Sequence, residues 1–312
     1  MTHLTSYARS LGTLLGLILL CLLLWILTPY FLTVSNLINV VQQTSIIAIV
    51  AVGMTFVIIT AGIDLSVGSV IAFSGVVLGS ALAAGVPLVP ALGVALVAGF
   101  LCGLVNGLLI SYGRLPAFIA TLGMMSLARG VALMYTDGRP ISGFDESFRS
   151  FSTGELFTIP FPVLLMVVVY VIAHFVLRRT KLGRYAYAIG GNEEAVILSG
   201  VNVRLYKSAV YGLCGMLCGL AAILLTARLN SAQPTAGIMY ELDAIAATVI
   251  GGTSLMGGEG TVFGTLVGAL LIGVLRNGLN LLGVSSFIQQ IAIGSVIIIA
   301  VFVDMMLKKR SR

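Results

Sequence analysis

Charge is what this chain has least of. Asp, Glu, Lys and Arg make up 9% of its 312 residues, against about 25% in ordinary soluble domains, so it cannot cover itself with a polar surface. It has one tryptophan, two histidines and four cysteines. Cys21, Cys102, Cys214 and Cys218 all lie inside apolar runs. Cys214 and Cys218 share a helix face, but no histidine or further cysteine joins them, so they read as packing residues and not as a metal site or disulfide. No G-x-x-x-x-G-K-[ST] segment is present, so the chain lacks the phosphate loop expected of an ATP-hydrolysing subunit. GGTSLMGGEG is glycine-rich, yet no lysine follows it and no strand precedes it, which argues against a phosphate cradle. H-E-x-x-H and G-x-S-x-G are missing, and His3 and His174 stand singly near the edges of apolar runs. No catalytic residue, metal site or cofactor is expected, and the net charge of +6 is placed in a way that speaks to membrane orientation, not to nucleic acid.

What is present is apolar sequence. Hydrophobic residues reach 59% and the mean hydropathy is +1.11. Several runs attain the roughly 20 residues that cross a bilayer as a helix, where a membrane β-barrel would show short alternating segments. An all-α integral membrane protein is expected. Arg9 precedes LGTLLGLILLCLLLWIL, like the charged and apolar regions of a signal peptide. That run is too long, and Thr28-Pro29-Tyr30 offers no small-residue cleavage site, so a retained first helix is expected.

Strong spans fall near 11–31, 36–60, 66–85, 88–111, 117–135, 159–177, 208–229, 261–281 and 286–307, with a weaker one near 240–256. Lysine and arginine near span ends mark the cytoplasmic side. The 178–207 loop holds Arg178, Arg179, Lys181, Arg184, Arg204 and Lys207, and the tail holds Lys308, Lys309, Arg310 and Arg312. Both should be cytoplasmic, which requires an even number of crossings between them, so the weak segment must cross too. About ten helices with both ends inside follow, forming one transmembrane domain over 1–312. The same parity puts 136–160 outside, where four acids face two arginines. Gly99, Gly103 and Gly107, and again Gly260, Gly264 and Gly268, recur at the four-residue spacing that lets helix backbones approach in lipid. Gly62 to Gly68 also echoes Gly252 to Gly258 at a second helix junction, as duplicated halves around a central path would.

Asp64 lies between two apolar runs in ITAGIDLSVGS. A carboxylate at membrane depth is costly, so it either lines a polar pathway through a broken helix or, with Ser66, caps the helix that follows. Gln42, Gln43, Asn106, Asn277, Asn280, Gln289 and Gln290 are amides in or near the spans; each either joins helices or lines a passage for a polar, uncharged solute. Arg129, Arg228 and Arg276 lie toward the predicted outer ends, where long side chains snorkel.

The block RYAYAIGGNEEAVILSGVNVRLYK, from Arg184 to Lys207, is polar sequence held between two apolar segments. A short helix ended by glycine and lying along the membrane suits a groove in a cytoplasmic partner. Glu193 and Glu194 favour the positive end of its dipole, Ala195 permits close approach, Leu198 offers an apolar anchor and Gly200 turns the chain away.

Leu182-Gly183-Arg184-Tyr185, then Gly190-Gly191-Asn192-Glu193, then Leu198 to Val203 resemble the coupling region of bacterial monosaccharide ABC-importer permeases. The likeness continues through Gln42 to Ser45, Gly62 to Ser69, Ala117 to Leu122, Ser231 to Gly237, Tyr240 to Ala247, Gly251 to Leu255 and Asn277 to Ser286. It implies a dimer of permease subunits in the bacterial inner membrane, a cytoplasmic ABC ATPase with two nucleotide-binding cassettes and a periplasmic sugar-binding protein. The cargo it implies is ribose or a closely similar monosaccharide, with allose, another pentose or a quorum-signal sugar as alternatives. It assigns contact with the ATPase to Gly191, Asn192, Glu193, Glu194, Ala195, Leu198, Ser199 and Gly200. Val196 replaces the second alanine of the importer coupling motif and no Leu-Pro follows, which favours a type II-like arrangement. Candidate pathway residues are Asp64, Gln42, Gln43, Asn106, Asn277 and Asn280. Candidate docking residues for the binding protein are Asp145, Glu146 and Glu155 in the outer loop, with Glu241 and Asp243 at the mouth of the weak span. An ion-coupled secondary transporter would need several buried ionisable residues, and at this level only Asp64 qualifies. A membrane enzyme has no catalytic constellation to support it.

Overall fold

A computed structural model describes residues 2–156 and 158–309; Arg310 and Arg312 of the basic tail lie outside them. Among the described residues there are thirteen helices: α1 (Thr2–Leu27), α2 (Val34–Ile59), α3 (Val67–Ala83), α4 (Leu88–Ser111), α5 (Ala117–Thr136), α6 (Glu146–Thr153), α7 (Phe161–Arg179), α8 (Lys181–Gly191), α9 (Glu193–Leu198), α10 (Val203–Leu229), α11 (Tyr240–Ile250), α12 (Val262–Leu281) and α13 (Ser286–Lys309). Four two-residue strands complete them. β1 (Ile141–Ser142) pairs antiparallel with β4 (Ser231–Ala232), and β2 (Glu155–Leu156) with β3 (Ile159–Pro160).

Six helices, α2, α4, α5, α7, α10 and α12, are long and apolar enough to cross a membrane, and α3 with parts of α1 and α13 are shorter apolar helices. The expected crossing near 240–256 is not one full-length helix. Its helix α11 has 11 residues, about 16 Å at the usual rise, half of the roughly 30 Å hydrocarbon core. The residues before it, 233–239, are non-helical and run as turns. Ala232 lies against Gly79 near the end of α3, and Gly237 lies against Gly68 near its start. Residues 232–237 therefore run back along α3 before α11 begins. Such backbone survives at membrane depth only where protein surrounds it, and Ser231 and Ala232 are buried.

α2 is the centre of the bundle, buried along 89% of its most apolar stretch. The Gly99, Gly103 and Gly107 stripe of α4 meets Gly215, Gly219 and Ser208 of α10 backbone to backbone. The second stripe does the same work: Gly264 meets the Gly251 carbonyl and Gly268 the Ala247 carbonyl. Any side chain at these glycines would prise the helices apart. The loop after α5 is also structured. Its helix α6 buries Phe148 in a satellite core with Leu78, Ala91, Ala95, Ile223 and Ala227.

Candidate functional site

The chain breaks its helices twice, at residues 60–66 and 251–261. At the first break Asp64 is 1% exposed. Its Oδ1 accepts the Ser66 amide at 2.9 Å and the Ser66 hydroxyl at 2.6 Å. Asn106 Nδ2 donates to Ser66 Oγ at 2.9 Å, and the Tyr211 hydroxyl donates to the Ile63 carbonyl at 3.2 Å. Asp64 thus closes the turn that starts α3 and is also the buried centre of a polar cluster from α4 and α10. A cavity of about 220 Å³ lies beside this break, lined by Thr60, Ala61, Gly62, Lys207 and Tyr211 among others.

The second break repeats the turn at the position matching Asp64, where Ser254 Oγ accepts the Met256 amide at 3.2 Å. The sequence echo is therefore an echo of geometry. The two breaks also touch: the Gly258 amide donates to the Ile59 carbonyl at 2.9 Å.

Two arginines read as snorkelling are engaged inside the bundle, which corrects that expectation. Arg129 Nη1 donates to the carbonyls of Pro234 and Ala236 at 2.6 and 2.7 Å, pinning the 232–237 segment to α5. Arg276 Nη2 donates to both carboxylate oxygens of Asp243 at 2.8 Å. Asp243 is 1% exposed, so it does not stand at a rim and is not available for docking. The Glu241 carboxylate, half-buried, lies against Gly68 at the start of α3. Arg228 is exposed at the end of α10.

The amides separate into two groups. Asn277 and Asn36 exchange side-chain hydrogen bonds at 2.8 and 3.0 Å, tying α12 to α2. Asn280 Oδ1 accepts from Gln289 at 2.7 Å, tying α12 to α13. Asn106 alone joins the Asp64 cluster, while Gln42 and Gln43 sit half-buried on α2. Asp145, Glu146 and Glu155 are exposed on the loop that carries α6.

The polar block folds as α8 and α9. Asn192 Oδ1 accepts the Ala195 amide at 3.0 Å and caps α9; Gly200, at φ +79°, ends it. Glu193 pairs with Lys207 of α10. Val196 faces inward against Ile189 and Val203, whereas Gly191, Glu194, Ala195, Ile197, Leu198 and Ser199 face out. Leu198 is 88% exposed, an apolar side chain with nothing over it. Tyr187 and Gly190 were missed by sequence reasoning. The Tyr187 hydroxyl donates to the Gly260 carbonyl at 2.7 Å, and Gly190 rests directly on the Ile59 carbonyl.

A helical bundle built for the membrane, with broken helices and buried charge at its centre and a short exposed helix on one face, defines a membrane permease. The chain belongs to the family described as the permease component of branched-chain amino acid transport systems, which matches residues 36–303. It is 52% identical to the ribose import permease protein of Escherichia coli strain K12 over 296 residues, 94% of this chain and 92% of that one. It is 49% identical to the ribose import permease protein of Bacillus subtilis over 304 residues, 97% and 94% of the two chains. To the D-allose transport system permease protein of Escherichia coli it is 39% identical over 301 residues, 96% and 92%. No solved structure gives a significant match. The chain is a transport component and not an enzyme.

Proposed function

We propose that this chain is the membrane-spanning subunit of an ATP-driven importer that carries ribose from the periplasm to the cytoplasm across the bacterial inner membrane. The observation that carries this reading is the 49–52% identity to ribose import permeases over more than nine-tenths of both chains, against 39% to the allose system. The whole of 1–312 is then one permease domain in a type II-like arrangement. It makes ten crossings, with the 232–237 segment and α11 together forming the eighth, and both termini in the cytoplasm. Two copies pair in the membrane, and α9 seats in a cytoplasmic ATPase with two nucleotide-binding cassettes. A periplasmic sugar-binding protein docks on Asp145, Glu146 and Glu155, with Glu241 at the inner end of its approach. Asp64 and Asn106, with Gln42 and Gln43, are the polar groups we assign to the pathway; Asn277 and Asn280 are left to helix pairing.

The test is uptake of labelled sugar by vesicles holding the permease and ATPase, supplied with ATP and the loaded binding protein. Ribose should enter only with ATP, and excess unlabelled ribose should suppress uptake where allose does not. Suppression by allose alone would reassign the sugar. Uptake driven by an ion gradient without ATP would reassign the protein to the secondary transporters.

A further inference from the structure

We infer that Tyr187 and Gly190 of α8 are the positioning residues through which a displacement of α9 reaches both chain breaks. This rests on the ATP-driven reading above, and concerns how the drive enters the bundle.

α9 touches α8 through Val196 on Ile189. The next residue of α8, Gly190, sits so close to the Ile59 carbonyl and the Gly258 amide nitrogen that a β-carbon would overlap both. Those two groups are themselves joined, Gly258 N–H to Ile59 C=O. Gly257 packs on the other side, with the place of its β-carbon 2.8 Å from the Ala61 Cβ and 2.9 Å from the Gly190 Cα. Three backbones therefore meet at one point: α8, the end of α2 entering the first break, and the second break. Tyr187, a turn earlier on α8, donates to the Gly260 carbonyl at the far end of the second break. Burial pushes its phenol above its ordinary value, with Arg178 pulling partly back, so it remains a donor at neutral pH.

The alternative route runs through α10, and it is softer. α9 meets α10 through Val196 on Val203 and through the Glu193–Lys207 pair, but both are side-chain contacts, and with Glu193 44% exposed the pair contributes little. From α10 the first break is reached through side chains, the Tyr211 hydroxyl on the Ile63 carbonyl at 3.2 Å and the Cys214 thiol on Asp64. Packed backbone has no rotamer to absorb a push, and close-packed interiors transmit strain. The α8 contact is the stiffer link.

The test is hydrogen exchange in the permease–ATPase complex in lipid nanodiscs, with and without a non-hydrolysable ATP analogue. In the unaltered protein the analogue should change exchange at α9, at residues 60–66 and at residues 252–260, with the Gly258 amide as the sharpest probe. Tyr187→Phe should keep the response at α9 and lose it at 252–260. Gly190→Ala should lose it at both breaks. A full response at both breaks in Tyr187→Phe and Gly190→Ala would overturn the inference while leaving the ATP-driven reading intact. No response at α9 in the unaltered complex would overturn that reading, and the inference with it. Should Gly190→Ala fail to assemble, Tyr187→Phe decides, because it removes one hydroxyl and leaves the packing in place.

Discussion

At residues 60–66 and again at 251–261 the chain passes between helices through the same kind of turn, a side-chain oxygen accepting the amide two residues on. The surroundings differ. The first turn uses a buried carboxylate and is held by side chains from the bundle, Asn106 and Tyr211. The second uses a hydroxyl, is rich in glycine, and is held by backbone packing on α2 and α8 together with the Tyr187 hydroxyl. Its electrostatic burden has moved away to α11, where Asp243 is neutralised by Arg276. One turn geometry thus serves a polar anchor in the bundle and a glycine-rich turn packed beside α8.

The largest effect should come from removing the charge partner near the second break. Arg276→Met leaves Asp243 buried and unpaired, a change that costs about 3–5 kcal/mol when a buried pair loses one member. Thermal denaturation in detergent should fall sharply for this variant. Adding Asp243→Asn should recover most of the loss, since the double variant buries no lone charge. Equal stability of the single variant and the unaltered protein would show that Asp243 is not dependent on Arg276.

The comparison between the turns themselves is sharpened by paired substitutions. Asp64→Leu deprives the Ser66 amide of its acceptor in a fully buried place, about 1–3 kcal/mol for an unsatisfied group. Asp64→Asn keeps an oxygen at that position and should cost less than about 1 kcal/mol, because asparagine caps as well as aspartate. Ser254→Ala removes the longer hydrogen bond to the Met256 amide, a loss of about 0.5–1.5 kcal/mol. Denaturation midpoints rank the three, and uptake adds the functional reading. An Asp64→Asn variant that is stable yet silent in uptake would assign the carboxylate charge to the pathway.

Much of this architecture is legible in the sequence, and the exceptions share a cause. The spans stand out because hydropathy is local, and the α8–α9 block because polar sequence between apolar runs is anomalous. The glycine stripes declare close packing by spacing alone. What escapes is pairing across long separations: Asn36 with Asn277, 241 residues apart, and Asp243 with Arg276, 33 apart. Arg129 and Arg276 look alike to a hydropathy scan whether they snorkel or bind inside. Residues 232–237 have neither helical periodicity nor alternation, so their passage along α3 leaves only proline and glycine as a sign. Gly190 is one glycine among 37, and only the Ile59 carbonyl against it makes it special.

A smaller effect on the fold, though not on transport, belongs to the coupling surface. Ala195 is exposed on α9 and touches neither break, so Ala195→Trp should leave the denaturation midpoint of the isolated permease unchanged. In the complex it should obstruct seating of the ATPase, and hydrolysis should stop responding to sugar-loaded binding protein. Gly200→Pro should act in the same direction, because residue 200 holds φ +79° and proline is fixed near −65°. If both variants keep full stimulation, the ATPase contacts another surface, and the two breaks are driven from elsewhere.

The smallest effect is expected on the opposite face. Asp145, Glu146 and Glu155 are exposed, and their loop is anchored independently of them, by Phe148 below and by the β1–β4 pairing. Replacing all three by Asn and Gln should therefore leave stability alone. Exposed rim charges act on encounter, raising the association rate at low salt and losing that influence as ions screen them over about 8 Å at physiological ionic strength. Association of the binding protein, followed by surface plasmon resonance against permease in nanodiscs, should slow several-fold at low salt and converge with the unaltered protein at high salt. A rate that is unchanged at every salt concentration would remove these acids from the docking surface. A defect that persists undiminished at high salt would point instead to direct contacts at the seated interface, and would place the binding protein's footprint on α6 itself.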